Sequence, residues 1–391
     1  MTTDHDLPSP PSVPPSASDE RREMKLHWFL PTGGDARDVL PAVDKPGQRP
    51  PAREYLAQVA LAAEANGFEA MLTPCGTGCE DAWITTASLV PLTERIKFLV
   101  AFRPGLLSPT LAAQMASTYQ RMSGGRMLVN VVTGAEPREL HRFGDFADKS
   151  TRYERTGEFL AIMRQAWSGE PIDYSGTHYR VEGATTRAVP DPVPEIYFGG
   201  ASDDAKRVAA EQADVYLVWG EPPEAAAKQR ADVEARATEQ GRAIRYGIRF
   251  HVIARPSAEE AWAAADALLA GISEADIAAA RRDFEATMSE GQRRMAQLHG
   301  SDTGRLVIHP NVWAGIGLVR GGAGTALVGS YVEVADRLAE YHRYGFDEFI
   351  LSGYPHLEEA HWVGEGVMPE LRQRGLLAGR AVASSPVFSF R

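Results

Sequence analysis

The stretch 245–254, RYGIRFHVIA, holds two groups that an apolar run does not ordinarily carry. Side chains of a strand alternate between its faces. Arg245, Gly247, Arg249, His251 and Ile253 therefore share one face, and Tyr246, Ile248, Phe250, Val252 and Ala254 the other. The apolar face must pack on a neighbouring layer, which turns Arg249 and His251 the opposite way. Buried cationic groups are costly unless something meets their charge. Two readings follow: a site for an anionic ligand, or a structural pair satisfied by interior carboxylates.

Other segments carry comparable signals. Arg320 lies in GIGLVRGGAGTALVG (315–329), too rich in glycine to hold one helix or strand, so it sits either on a mobile loop that delivers an arginine or on a linker. No Gly-Lys-Ser/Thr follows, which excludes a phosphate loop and a nucleotide triphosphatase. In YFGGASDD (197–204) a strand ends at Gly199-Gly200 and a helix opens at Ser202, whose neighbouring amides suit a phosphate. Asp203 and Asp204 in the first turn would repel one, and a plain serine cap explains the motif equally well. Asn130 places an amide in the apolar run 126–132, either facing a heteroaromatic ring or simply structural. Cys79, in CGTGCEDAW, stands where a helix N-terminus would lower its pKa, but with no His or Lys nearby it reads best as a small buried side chain beside a ligand. SGYPHLEEAHWVGE (352–365) offers Tyr354 and His356 as hydrogen-bonding groups, while the spacing of His356 and His361 fits no common metal site, so no metal is expected.

The elements that must position these groups alternate in kind. Candidate strands are 25–30, 68–73, 95–102, 126–132, 194–199, 214–219, 245–254 and 347–352. Helices are expected at 52–65, 80–90, 109–121, 151–167, 202–212, 221–239 and 331–344, with Ser108 as a cap and Pro109 at a first helical position. Eight strands suit a closed barrel, although an open doubly wound sheet alternates similarly. In a barrel, Arg249 and His251 would point inward near the C-terminal end, where active sites lie. Insertions at 133–150, 168–194 and about 255–330 would build the mouth.

Composition narrows the function classes. With 41 Lys+Arg against 52 Asp+Glu, the 391-residue chain carries −11, which argues against nucleic-acid or anionic-membrane partners. Residues 1–23, rich in Pro, Ser and Asp, read as a solvated tail. Two cysteines, Cys75 and Cys79, make no disulfide framework, so a reducing, cytoplasmic compartment is expected. No run approaches the about 18 apolar residues of a membrane span, and no signal peptide is evident.

The motifs together resemble a known family. WFLPTGGD (28–35), CEDAW (79–83), FLVAFRPGLLSPT (98–110), NVVTGAEPREL (130–140), RYE (152–154), YFGGASD (197–203), WGEPPE (219–224), RFHVIAR (249–255), WAGIGLVRGGAGTALVG (313–329) and LSGYPHLEEA (351–360) are similar to the FMNH2-dependent alkanesulfonate monooxygenases of the bacterial luciferase-like group. The resemblance implies a TIM (β/α)8 barrel with insertion segments at its C-terminal mouth, spanning 24–366. A tail at 367–391 would follow, its Val387, Phe388 and Phe390 docking on the body or a neighbouring subunit of a homodimer or homotetramer. It implies cleavage of a sulfonate's C–S bond with O2 and FMNH2, giving an aldehyde and sulfite. The FMNH2 would come from a separate NAD(P)H:FMN reductase, in keeping with the lack of a G-x-G-x-x-G fingerprint after a strand. Carried over residue by residue, the resemblance gives Arg249, His251, Arg320 and Tyr354 catalytic roles, with Trp219 and His356 joining them around the substrate. Asn130, Tyr153, Gly200, Ala201, Ser202 and Cys79 would hold the flavin. Positive charge would gather at Arg249, His251 and Arg320 inside an acidic exterior. One departure stands out: Pro74-Cys75-Gly76-Thr77-Gly78-Cys79 replaces the family's Pro-Thr-Gly-Arg-Ser-Cys, which favours a substrate bulkier than a simple alkyl chain. Linear alkanesulfonates, methanesulfonate and sulfoquinovose are the substrates in view. Dimethyl sulfone oxidation, a non-catalytic flavin-binding protein and deazaflavin-dependent hydride transfer are the competing readings.

Overall fold

A computed structural model describes residues 23–39, 48–299 and 306–378. Eight parallel strands coincide with the eight expected from sequence: β1 Lys25–Phe29, β2 Ala70–Thr73, β3 Lys97–Phe102, β4 Met127–Val131, β5 Ile196–Gly199, β6 Val215–Trp219, β7 Arg245–Arg255 and β8 Glu348–Ser352. Each pairs with its successor, and β8 returns to β1 with Ile350 opposite His27, so the sheet closes and the open-sheet alternative is excluded. The fold is a TIM barrel. Helices Arg53–Asn66, Ala82–Leu89, Pro109–Ser123, Lys149–Ala166, Asp203–Gln212, Pro223–Glu239 and Tyr331–Arg343 surround it, within a few residues of their expected bounds. Their ends follow local chemistry: Ser108 accepts from the Leu111 amide ahead of Pro109, and Gly67, at φ 93°, ends the first helix in a left-handed turn.

The period of two sorts the strands into two cores. Outward residues such as Trp28, Phe98, Phe198, Phe250 and Phe349 pack under the helices. Inward residues Phe29, Leu72, Leu99, Leu128, Tyr197 and Ile350 fill the barrel. At the N-terminal end the filling is polar: Glu348, wholly buried, receives His27 at 3.0 Å, the Tyr197 hydroxyl at 2.6 Å and Arg245 at 2.9 Å. Burial would raise the Glu348 pKa, but the bond from His27 and the nearby cations hold it down at about 2.

Between β7 and β8 lie helices Ala258–Leu269, Glu274–Ala286 and Glu290–His299 and a short strand, Ala326–Ser330. That strand corrects the expectation for 315–329. β7 has eleven residues and β6 five, so the upper edge of β7 would be unpaired, and Ala326–Ser330 runs parallel along it from His251 to Arg255. The preceding glycines serve close backbone approach. Gly317 donates to the Gly324 carbonyl at 2.8 Å, and a Cβ on Gly324 would stand 2.6 Å from the Gly317 Cα. The 168–194 insertion contains a hairpin, Ile172–Ser175 with Arg180–Ala184.

The folded body also runs past the boundary expected at 366. Met368 and Leu371 of helix Met368–Gln373 are buried in the core, and the Met24 amide donates to the Leu376 carbonyl at 2.8 Å. The N-terminal segment 1–22 and the apolar end at Val387, Phe388 and Phe390 lie outside the described residues. No described helix is long and apolar enough to cross a membrane.

Candidate active site

A cavity of about 320 Å³ opens among the C-terminal ends of the strands. Its barrel wall includes Leu72, Asn130, Leu217, Trp219, Arg249 and Ile350, from five of the strands. The inward face of β7 carries two arginines with opposite fates. Arg245, at the N-terminal end, pairs with Glu348 and with Glu195 at 2.8 Å. Arg249, four residues on, has no carboxylate partner among the described residues. Its guanidinium lies 4.4 Å over the Phe29 ring, and its Nε is buried without a hydrogen bond. Burial, with Arg320 adding to it, pushes the Arg249 pKa down to about 10. The structural-pair reading thus describes Arg245 and not Arg249.

His251 is buried behind this wall and is not among the cavity's lining residues. Nε2 donates to the Ala323 carbonyl at 3.0 Å, and Nδ1 accepts from the Ser352 hydroxyl at 2.9 Å. Burial, then Arg249 and Arg320, push its pKa well below the ordinary histidine value. The expected pooling of positive charge is therefore corrected: it rests on Arg249 and Arg320, with His251 neutral. Tyr354 stacks on His251 at 5.3 Å and carries Arg320 on its ring at 5.2 Å. Its hydroxyl is buried without a partner, and burial raises its pKa. His356 meets Tyr354 edge-on at 5.3 Å and Phe29 at 5.5 Å. Arg249, Phe29, His356, Tyr354, Arg320 and His251 thus form one contiguous cluster, assembled from β1, β7, the segment before Ala326 and the turn after β8.

Farther along the cavity stand Tyr153, Gly200, Ala201 and Ser202. Gly200, at φ 144°, brings the backbone against the next helix: a Cβ there would lie 2.6 Å from that of Ala205 and 3.4 Å from the Tyr153 hydroxyl. Ser202 caps helix Asp203–Gln212 by accepting from the Ala205 amide. Asp203 turns away to Arg236 at 2.6 Å, which lessens the repulsion an anion would meet. Trp219 is covered by helix Glu290–His299, since a Cβ on Gly291 would stand 3.0 Å from its ring.

Cys79 departs from expectation. Cys75, not Cys79, lines the cavity, and Cys79 sits under the loop at Gly33. Burial raises the Cys79 pKa instead of lowering it. The helix begins only at Ala82, and the Asp81 carboxylate already takes the Ile84 amide at 2.9 Å, so no free helix terminus faces the thiol.

Sequence reasoning missed Arg152 and Asp35. Arg152 donates to the Ala147 carbonyl, yet its Nε and one terminal nitrogen are buried without partners on the cavity wall beside Tyr153. Burial lowers its pKa. RYE was visible as a motif, but position within a helix does not reveal an arginine facing inward. Asp35 receives both the backbone amide and Nδ1 of His356 at 2.8 Å, a contact across 321 residues that no local pattern signals.

A family model described as luciferase-like monooxygenase matches residues 24–348. The chain belongs to that family, which supports an oxygen-using, flavin-dependent oxidoreductase. Solved structures of similar fold include riboflavin lyase with modified FMN and substrate riboflavin, at 20% identity and TM-score 0.76, covering 91% of this chain and 93% of that one. EDTA monooxygenase from Chelativorans sp. BNC1 is similar at 20% identity and TM-score 0.72, covering 91% and 95%. A long-chain alkane monooxygenase is similar at 20% identity and TM-score 0.73, covering 91% and 92%. Proteins of this fold thus include enzymes named for substrates as unlike as EDTA and a long-chain alkane, so the substrate must be argued from this chain's own cavity.

Proposed function

We propose that the protein is a two-component, FMNH2-dependent monooxygenase that cleaves the C–S bond of an organosulfonate to give an aldehyde and sulfite. Arg249 carries this reading: a guanidinium on the cavity wall, kept charged at neutral pH and without a carboxylate among its described neighbours. A sulfonate stays ionised at every relevant pH and offers oxygens that a guanidinium clamps bidentately. A neutral sulfone would leave that charge uncompensated, which disfavours dimethyl sulfone.

The residues present fit FMN. Arg152, with two unpartnered nitrogens, would take the phosphate together with Tyr153 and the amides of Gly200, Ala201 and Ser202. Asn130 would meet the ring. When bound, reduced FMN supplies the electrons that activate O2; one oxygen ends in the aldehyde and the other in water. The protein's own part is to orient and enclose. Arg249 and Arg320 hold the sulfonate, the Tyr354 hydroxyl donates to developing negative charge, and neutral His251 ties Ser352 to the Ala323 carbonyl behind them. Helix Glu290–His299 packs over Trp219, clasped by Arg294 on the buried Glu221 and by the Gln292 side chain, which accepts from the Gly322 amide at 2.8 Å. A separate NAD(P)H:FMN reductase would supply FMNH2.

Cys75 on the wall, where the family carries a larger side chain nearby, favours a bulkier sulfonate such as sulfoquinovose. The test is sulfite release with FMNH2 and O2 over methanesulfonate, linear alkanesulfonates and sulfoquinovose. Release from at least one is expected, largest for the bulkier members; none from any of them refutes the reading.

A further inference from the structure

The orientation of His356 within the cluster is set by Asp35, which stands behind it. Asp35 follows β1 and is locked in place by a backbone bridge to Arg49, at 2.9 and 2.8 Å. Its carboxylate is buried and engaged on both oxygens. Oδ1 accepts from the Ala36 amide at 2.9 Å and from His356 Nδ1 at 2.8 Å; Oδ2 accepts from the His356 amide at 2.8 Å and from the Tyr55 hydroxyl. Arg49 in turn donates to Tyr55 at 3.2 Å and grips Glu358, two residues beyond His356, at 2.7 and 2.5 Å. Burial works to raise the Asp35 pKa, but the bonds from His356 and Tyr55 outweigh it and hold it below the ordinary carboxylate range.

A carboxylate only accepts hydrogen bonds. The proton of a neutral His356 ring must then sit on Nδ1, which leaves Nε2 with a free lone pair and no hydrogen bond to any described residue. The ring lies between Phe29 and Tyr354, the two aromatic platforms on which Arg249 and Arg320 rest. Its other titratable and charged neighbours are His251, neutral and already bonded on both nitrogens, and the Asp35–Tyr55–Arg49 chain behind it. His356 is therefore the one imidazole of the cluster with a nitrogen that no described residue engages.

We propose that Asp35 is a positioning residue: it fixes the Nδ1–H tautomer of His356 and presents Nε2 as the proton acceptor of the site. In sulfonate cleavage the proton accepted would be the hydroxyl proton on the carbon that has received one oxygen of O2: as it passes from O–H to Nε2, the O–H electron pair becomes the second bond of the aldehyde C=O and the C–S electron pair leaves with sulfite. This assignment rests on the desulfonation reading; the tautomer does not.

Asp35→Asn separates the two. The asparagine oxygen still accepts the His356 amide, so the turn is kept, but its NH2 donates to Nδ1 and drives the proton to Nε2. With ¹⁵N-histidine labelling, the spectrum should show His356 protonated on Nδ1 in the wild type and on Nε2 in the variant. For the sulfonate that gives sulfite, kcat should fall at least about tenfold, while KM and the affinity for FMNH2 stay within about twofold. Wild-type His356 protonated on Nε2 overturns the proposal, whatever the substrate. So does an inverted tautomer with kcat within twofold of wild type. If no sulfonate is turned over, the desulfonation reading fails and the spectrum still decides the role of Asp35. Should Asp35→Asn not fold, the wild-type spectrum together with His356→Gln, expected to lose kcat without raising KM, decides; unchanged kcat in His356→Gln overturns it.

Discussion

Replacing Arg249 by methionine should separate binding from stability in a way a structural arginine would not. Burial pushes the Arg249 pKa from the ordinary arginine value to about 10. Each tenfold loss of proton affinity is about 1.4 kcal/mol, so keeping this cation folded at pH 7 costs about 3 kcal/mol. The sign is that of a cation whose folded pKa is depressed: the cost is fully present below pH 10 and disappears only as pH rises from there toward the unfolded value. Contact with the Phe29 ring at 4.4 Å returns about 1–2 kcal/mol. Methionine keeps the stem's packing and removes both effects, so the variant should be more stable by about 1–2 kcal/mol, read as a higher Tm in the absence of ligand. Sulfonate binding should weaken by about 2–3 kcal/mol, the value of a charge-assisted contact, or about 30- to 150-fold in Kd by calorimetry. A variant that melts lower and binds a sulfonate substrate within threefold of wild type would falsify the reasoning, since Arg249 would then be a structural cation.

Other outcomes follow from the same geometry. Arg152→Met should weaken FMN by about 1.5–3 kcal/mol, the worth of a hydrogen bond to a charged group, while leaving riboflavin nearly unaffected. Equal losses for the two in a fluorescence titration would remove Arg152 from the phosphate. Glu348 is held at about 2, so its bonds contribute about 3 kcal/mol of stability above the ordinary glutamate pKa, lost as pH falls toward 2. Glu348→Gln should be less stable at pH 7, with a shallower dependence of Tm on pH between about 4.5 and 2; an unchanged slope in a pH series of melts would count against it. With Cys75 pushed up to about 11 and Cys79 also raised, iodoacetamide at pH 8 should label both far more slowly than free cysteine. Rapid labelling by mass spectrometry would mean that the thiols are activated after all.

Most of the architecture was legible locally. The strands of a parallel barrel are short apolar runs between turn residues, and all eight could be read as such. The helices announced themselves by Ser108-Pro109 and Gly67. The glycine-rich run 315–329 misled because its composition speaks of flexibility. Its order comes from an unpaired strand edge, a property of the lengths of β6 and β7 together. Cys79 misleads for a similar reason: the helix starts only at Ala82, three residues beyond the thiol, and the Asp81 carboxylate takes the Ile84 amide. Arg152 was hidden in a helix whose later residues, Phe159, Leu160 and Met163, pack in the core while its first turns border the cavity.

The sequence by itself determined the alternation of strands and helices, the face of β7 on which Arg249 and His251 lie, the negative exterior, and the family resemblance in the motifs. Those are matters of period, composition and local order. Only the tertiary structure decided which charge is free. Arg245 and Arg249 share one face and differ in sequence by four positions, but the barrel's register sets Glu348 and Glu195 beside the first and, among the described residues, no carboxylate beside the second. It likewise joined Asp35 to His356 across 321 residues and took both nitrogens of His251 out of play. Charge compensation depends on distances of a few ångströms between chain segments brought together by closure of the sheet, and no periodicity within one segment encodes them.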